Sequence, residues 1–375
     1  MRAYLTIAFF AAVVTFFATW AVLRLARKYG VYTAIRARDA HKTPTPRLGG
    51  AAMFLGFAVS LGLAGLLGWF KSVYSNPTQI IAIFIAAALI TAIGVLDDLF
   101  DLDWTLKLAA QFVTAGILAW QGVQIVSLPI FGLTIGSFGT SIVVTVFVTV
   151  LVMNAVNFID GLDGLVAGVV LIGTVVFFIY SYFLAQQTSP TNYFNLASLI
   201  SAIVIGVCVG FLPFNWHRAK IFMGDSGALL LGLLMSTSAL TVTGQIDPEL
   251  ATNNSLVPAF LPLILPLAIL VLPLLDFTLS VIRRLSAGKS PFAADRGHIH
   301  HRLQDFGHTH LGSVLVFYIW TALISITCLL FFFLPAKLTL VFFFVGLAGA
   351  LAYTVWPVFS QSRRSESKVS SRRKS

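Results

Sequence analysis

Asp97 and Asp98 stand side by side, with Asp101 and Asp103 behind them and Lys107 just beyond. On a helix Asp97 and Asp101 would share a face. Carboxylates crowded in this way repel one another unless a cation sits among them; a divalent metal or the Lys107 ammonium would serve. A second stretch, Asn154–Leu165, places two amides, Asn154 and Asn157, and two acids, Asp160 and Asp163, between long apolar runs. Unpartnered polar groups there would cost several kcal/mol each, about the price of burying an amide or hydroxyl in hydrocarbon. A third stretch, Asn215–Gly227, carries His217, Arg218, Lys220, Phe222 and one acid, Asp225, ahead of the next apolar run. That acid is placed to bind a metal or to cap a helix, and the amides around it suit a phosphate.

Two more stretches are basic. Ser290–Arg302 holds Asp295, Arg296, His298, His300 and His301. Its Arg and His donors suit a diphosphate better than zinc, since no Cys or Glu at metal spacing accompanies them. His41–Gly50, with Thr43, Pro46 and Arg47, reads equally as a binding segment or as a basic anchor with a Pro–Gly turn.

The elements that must position these groups are membrane helices. The 375 residues are 58% hydrophobic and 10% charged, whereas soluble domains carry about 25% charged residues. The fold class expected is an all-α polytopic membrane protein with about eleven transmembrane helices, at 3–25, 48–69, 79–96, 105–121, 139–156, 164–185, 196–213, 227–244, 257–282, 313–334 and 338–358. The run Tyr4–Leu23 lacks a small-residue cleavage site and reads as the first span. With the N-terminus outside and the C-terminus cytoplasmic, only Arg2, Lys71 and Lys337 of the 24 basic residues lie outside, as the positive-inside rule requires. All seven histidines then lie inside, as do all acids except Asp247 and Glu249. A channel or transporter would hold its polar groups near the midplane; groups gathered on one face suit an enzyme acting on a cytosolic polar substrate.

Gly122–Gly136 reads as a small extracytoplasmic hairpin, and Pro258, Pro262, Pro266 and Pro273 predict a kinked ninth helix that opens a groove to lipid. Asp276, the one acid reaching inward, reads as a structural group paired with Arg283. Residues 1–361 form the membrane domain and 362–375 a basic disordered cytoplasmic tail. Cys208 and Cys328 lie in apolar runs, so neither a disulfide framework nor a Cys metal site is expected. The net charge of +10 comes from loops between spans and points to a membrane face, with no nucleic-acid partner. Together the acids, the basic and amide donors and the lipid groove describe a site that moves a phosphorylated group from a soluble nucleotide to a lipid.

Asp97-Asp98-x-x-Asp101, Asn154-x-x-Asn157-x-x-Asp160-Gly-x-Asp163-Gly-Leu, Asn215 through Phe222-Met-Gly-Asp225-Ser-Gly, and Ser290-Pro-Phe-x-x-Asp-Arg-x-His298-Ile-His300-His301 appear in this order. The chain thereby resembles the polyprenyl-phosphate N-acetylhexosamine-1-phosphate transferases, and within them the WecA/TagO type. The resemblance implies transfer of GlcNAc-1-phosphate from UDP-GlcNAc to polyprenyl phosphate, with release of UMP. Magnesium is the implied cofactor, with manganese as the alternative. The setting implied is the bacterial cell membrane, in the first membrane step of cell-wall or surface polysaccharide assembly, with the active site facing the cytoplasm. A homodimer is left open.

By motif match Asp225 is the metal ligand and Asp97 and Asp98 are the catalytic acids. Asn157, Asp160, Asp163 and Phe222 fall at the nucleotide, and His298, His300 and His301 at the diphosphate or sugar. Asn215, Lys107, Thr43 and Arg296 complete the substrate-binding set. Val31–Ile35 departs from the Asp-x-Pro that many members carry after the first span. An MraY-like or other UDP-hexosamine specificity and a UbiA-like intramembrane prenyltransferase are the alternatives.

Overall fold

In hydrocarbon a backbone can satisfy its own hydrogen bonds only as a helix or a closed barrel, and long apolar runs free of breakers take the first course. The computed structural model describes residues 1–31, 45–125, 137–188, 194–243, 268, 271–288 and 299–372. Among the described residues every regular element is helical. They are α1 (Arg2–Tyr29), α2 (Gly49–Leu66), α3 (Pro77–Phe100), α4 (Trp104–Trp120), α5 (Phe138–Phe158), α6 (Leu165–Thr188), α7 (Leu196–Asn215), α8 (Gly224–Thr243), α9 (Val271–Ser286), α10 (Ile299–Asp305), α11 (His310–Phe333) and α12 (Ala336–Arg372), with single turns at Gly68–Phe70 and Val73–Ser75.

Nine of these helices are long and apolar enough to cross a membrane. The other two expected spans coincide with α4, of 17 residues, and with α9, of 16, each about 25 Å long at 1.5 Å per residue. Pro258, Pro262 and Pro266 lie outside the described residues, so the kink expected there does too. Residues 126–136 of the expected hairpin are likewise outside. Its described start is tied to α5: Ile125 N donates to Thr145 Oγ1 at 2.9 Å, and Ser141 Oγ donates to the Ile125 carbonyl. The last helix runs on through Arg372, into the stretch read from sequence as a disordered tail. Neither Gly nor Pro occurs after Pro357 to stop it.

α8 is the hub of the bundle. It packs on α2, α3, α5 and α7, and its span is 89% buried, against 11% for that of α12. With lipid outside, helices gain most by close packing of small residues. α3 meets α8 in this way at Gly94, where an added Cβ would fall 2.3 Å from Ser226 Cα and 2.6 Å from its N. Asp276 is buried on α9 and accepts a bond from the Ile299 amide, the first residue of α10, at 2.7 Å. Asp276 thus meets the helix bearing His300 and His301, and Arg283 Nη2 reaches Ser280 Oγ at 3.1 Å.

Gly94→Ala should cost about 1–3 kcal/mol, as overpacking against an immovable backbone does. The check is a lowered thermal unfolding midpoint in detergent, with Gly62→Ala, whose Cβ would meet nothing within 4 Å, left unchanged.

Candidate functional site

The polar stretches meet at one end of the bundle, at the C-termini of α3, α5 and α7 and the N-termini of α4, α6, α8 and α11. The meeting point is the start of α8. Gly224 takes a left-handed φ of 70° there, and a Cβ on it would fall 2.3 Å from Asp98 Oδ2. Asp98 is buried and caps the helix from α3. Its Oδ1 accepts from Asp225 N at 3.0 Å, and its Oδ2 accepts from Ser226 N at 3.2 Å and Ser226 Oγ at 2.8 Å. A carboxylate at a helix N-terminus satisfies orphan amides and meets the positive end of the dipole.

Asp97 sits beside it with both oxygens engaged. Oδ1 accepts from Leu102 N at 2.8 Å and Oδ2 from Lys107 Nζ at 3.0 Å. The same ammonium donates to Asp225 Oδ2 at 3.2 Å, so Lys107 joins the two acids. Asp97 and Asp225 are thus joined through this ammonium, and Asn157, at the end of α5, lies beside Asp225. Two carboxylates that share a proton or one ammonium hold room for more positive charge. Their donors are oxygens, which suits magnesium. Asp225 and Asp97 would hold it, with Asn157 beside them.

Asp160, in the turn between α5 and α6, is exposed at its surface while neighbouring protein crowds its carboxyl. That desolvation, with the Asp225 and Asp163 charges, pushes its pKa up to about 7, against the pull of Arg47.

Behind this front, Asp163 and Asn215 fasten loops together. Asp163 is buried, and its Oδ2 accepts from Ala219 N at 3.1 Å. That bond follows Arg218, which is held at φ 48°, a strained conformation of the kind that gathers at working sites. Asn215 Oδ1 accepts from Gly164 N at 3.1 Å and its Nδ2 donates to the Ile221 carbonyl at 3.0 Å. The resemblance places Asp163 at the nucleotide and Asn215 in the substrate-binding set; the bonds described here tie both to neighbouring backbone. Asp163 Oδ2 also lies 3.8 Å from His217 Nδ1 and 4.0 Å from His310 Nε2. The three ligand atoms fall within 4.8 Å of one another, a spacing that could hold a metal. His310 Nε2, however, already accepts from Asp163 N at 3.2 Å, which uses the lone pair a metal would need.

Phe222 is half-buried, and its backbone bonds to Pro46 and Gly49. Thr43, Arg296 and His298 lie outside the described residues. His300 and His301 stand on α10, with their side chains outside the description. The structure therefore brings Asp97, Asp98, Lys107, Asn157 and Asp225 together, sets Asp160 at the rim, and puts Asp163 and Asn215 behind.

Sequence reasoning missed four residues. Ser226 reads from sequence only as an alternative to Asp225 for capping the helix. His217 and His310 are isolated histidines whose partners come from distant segments. Arg47 was read with its basic neighbours, although the Pro46 and Gly49-Gly50 around it signal a backbone held tightly against something.

Fold and site together define a polytopic helical membrane protein with a lysine-bridged carboxylate centre at one end of its bundle. Residues 80–243 match glycosyl transferase family 4. The decaprenyl-phosphate N-acetylglucosaminephosphotransferase of Mycobacterium tuberculosis is 38% identical over 321 residues, covering 84% of this chain and 79% of its own. That of Mycolicibacterium smegmatis is 37% identical over 355 residues, 93% of this chain and 87% of its own. A probable undecaprenyl-phosphate N-acetylglucosaminyl 1-phosphate transferase of Bacillus subtilis is 34% identical over 311 residues, 82% and 79%. The chain belongs to glycosyl transferase family 4, in its polyprenyl-phosphate N-acetylhexosamine-1-phosphate transferase group.

Asp98→Asn should destabilise the protein, because an amide NH2 would face helix donors that now meet a carboxylate. A fall in thermal midpoint together with activity is expected; a midpoint equal to wild type with activity abolished would place Asp98 in the chemistry instead.

Proposed function

We propose that this chain transfers GlcNAc-1-phosphate from UDP-GlcNAc to a polyprenyl phosphate in the cell membrane, giving polyprenyl-diphosphate-GlcNAc and UMP. The observation that carries the reading is the Asp97–Lys107–Asp225 centre with Asn157 at the start of α8. It occurs in a chain whose relatives are named as N-acetylglucosamine phosphotransferases acting on decaprenyl and undecaprenyl phosphate. The topology that goes with it has eleven spans, the N-terminus outside and the site facing the cytoplasm. That orientation rests on the distribution of basic residues. Residues 1–361 are the membrane domain, and the remainder is a cytoplasmic tail.

The step is one displacement. A phosphate monoester has its second pKa at about 6, so the lipid phosphate is mostly a dianion at neutral pH and already a nucleophile. Its oxygen attacks the sugar-linked phosphorus. A new P–O bond forms there, the bond from that phosphorus to the bridging oxygen breaks, and UMP leaves with the electron pair. Asp225 and Asp97 would hold magnesium, which when bound would neutralise charge on the diphosphate and the leaving UMP.

Lys107 keeps the two acids in register and adds positive charge beside them. Asp97 gives its oxygens to Lys107 and Leu102 N, and Asp98 gives its own to α8. These bonds fit a positioning role, and direct transfer needs no phospho-aspartate because the lipid phosphate already supplies the attacking oxygen. Phe222 and Asp160 are placed to meet the nucleotide at the rim, with Asp163 and Asn215 fixing the walls. Arg296, His298, His300 and His301 are the expected donors to the diphosphate or sugar.

The test is UMP release by purified protein given polyprenyl phosphate, magnesium and a panel of UDP-sugars. UDP-GlcNAc should give UMP only when lipid and magnesium are both present. Asp225→Asn should abolish both turnover and magnesium-dependent nucleotide binding while leaving the thermal midpoint near wild type. Turnover of another UDP-hexosamine in its place, or consumption of an isoprenyl diphosphate, would overturn the reading.

A further inference from the structure

The segment ahead of α2 is stitched to the segment ahead of α8. Phe222 N donates to the Pro46 carbonyl at 2.9 Å, Gly49 N to the Phe222 carbonyl at 3.0 Å, and Gly50 N to the Met223 carbonyl at 2.9 Å. Arg47 lies inside this stitch. Its own carbonyl rests against Gly224, where a Cβ would fall 2.5 Å from it, and Gly224 precedes Asp225. The backbone of Arg47 is therefore fixed one residue from the centre, while its side chain is half-exposed. A fixed backbone removes much of the ordering cost a long side chain incurs on binding.

The charge around it is lopsided. Asp97, Asp225 and Asp160 gather at the start of α8, and the Lys107 ammonium is shared between two of them. The Arg47 charge reaches this group, since it acts on the Asp160 carboxylate. A diphosphate entering such a place brings further negative charge. A guanidinium is the side chain best matched to it, because its planar fork meets two phosphate oxygens at once. A merely anchoring arginine would have no reason to sit on a backbone stitched to the helix that carries Asp225.

We propose that Arg47 is a substrate-binding residue that takes a phosphate group of one of the two substrates beside the carboxylate centre. The inference rests on the transferase reading above. The phosphate belongs either to the donor diphosphate or to the lipid acceptor, and binding measurements separate the two.

The experiment compares wild type, Arg47→Gln and Arg47→Lys for equilibrium binding of UDP-GlcNAc and of uridine, and for the KM of polyprenyl phosphate. Thermal midpoints are followed alongside. Losing a charge-assisted bond should weaken UDP-GlcNAc by about 10–100-fold in Arg47→Gln. Uridine should be unaffected, and Arg47→Lys should recover part of the loss. A raised KM for the lipid with unchanged donor affinity assigns the phosphate to the acceptor and also supports the proposal. If UDP-GlcNAc and uridine weaken equally, or if neither donor affinity nor lipid KM changes, Arg47 is structural and the proposal fails. Wild-type protein that binds UDP-GlcNAc no better than uridine would overturn the transferase reading itself, and this inference with it.

Discussion

A buried carboxylate at the head of a buried helix governs this architecture. α8 is enclosed on nearly all sides, so its first amides cannot turn to water. Asp98 reaches across from α3 and takes two of them and the Ser226 hydroxyl. The approach needs a backbone without side chains on both helices, at Gly94 and at Gly224. Once α3 and α8 are locked in this register, Asp97 and Asp225 become neighbours. Lys107, one turn into α4, then falls between them. The centre is thus a consequence of how two helices dock.

The same logic separates polar groups that hold the site from polar groups that face it. Asp98, Asp163 and Asn215 spend their oxygens on backbone amides of α8, Ala219 and Gly164. Buried polar groups are stable only when satisfied in this way. Asn157, Asp160, Phe222 and Arg47 are each partly or largely exposed. Asp225 stands on the boundary, with Asn157 and Lys107 on it and a share of its surface open. Removing an inner group should loosen the fold first, whereas removing an outer one should weaken substrate first.

Much of this was legible from residue types alone. Apolar runs gave nearly all the helices, because a membrane chain has few other ways to satisfy its backbone. The acids of Asp97–Asp98, Asp160–Asp163 and Asp225 were recognisable because apolar sequence rarely keeps charge without use. The division of labour among them was not legible. Nothing in the sequence says that Asp98 rather than Asp97 caps α8, since both occupy one helix end and only the packing angle decides which faces Ser226. His217, His310 and Arg47 were hidden for a similar reason, as their partners are contributed by distant segments. Composition alone does not give the helix end: Ser, Arg and Lys favour solvent, yet α12 extends to Arg372 with no breaker after Pro357.

The central claim is that carboxylates fixed by helix packing position the reaction and that no aspartate carries the transferred group. Isotope exchange tests it most directly. Protein stripped of co-purified lipid by extensive detergent washing is given UDP-GlcNAc, magnesium and labelled UMP. With direct transfer, no label enters UDP-GlcNAc until polyprenyl phosphate is added. Rapid exchange in the absence of lipid, lost in Asp97→Asn or Asp98→Asn, would mean a phospho-aspartate and would contradict the account.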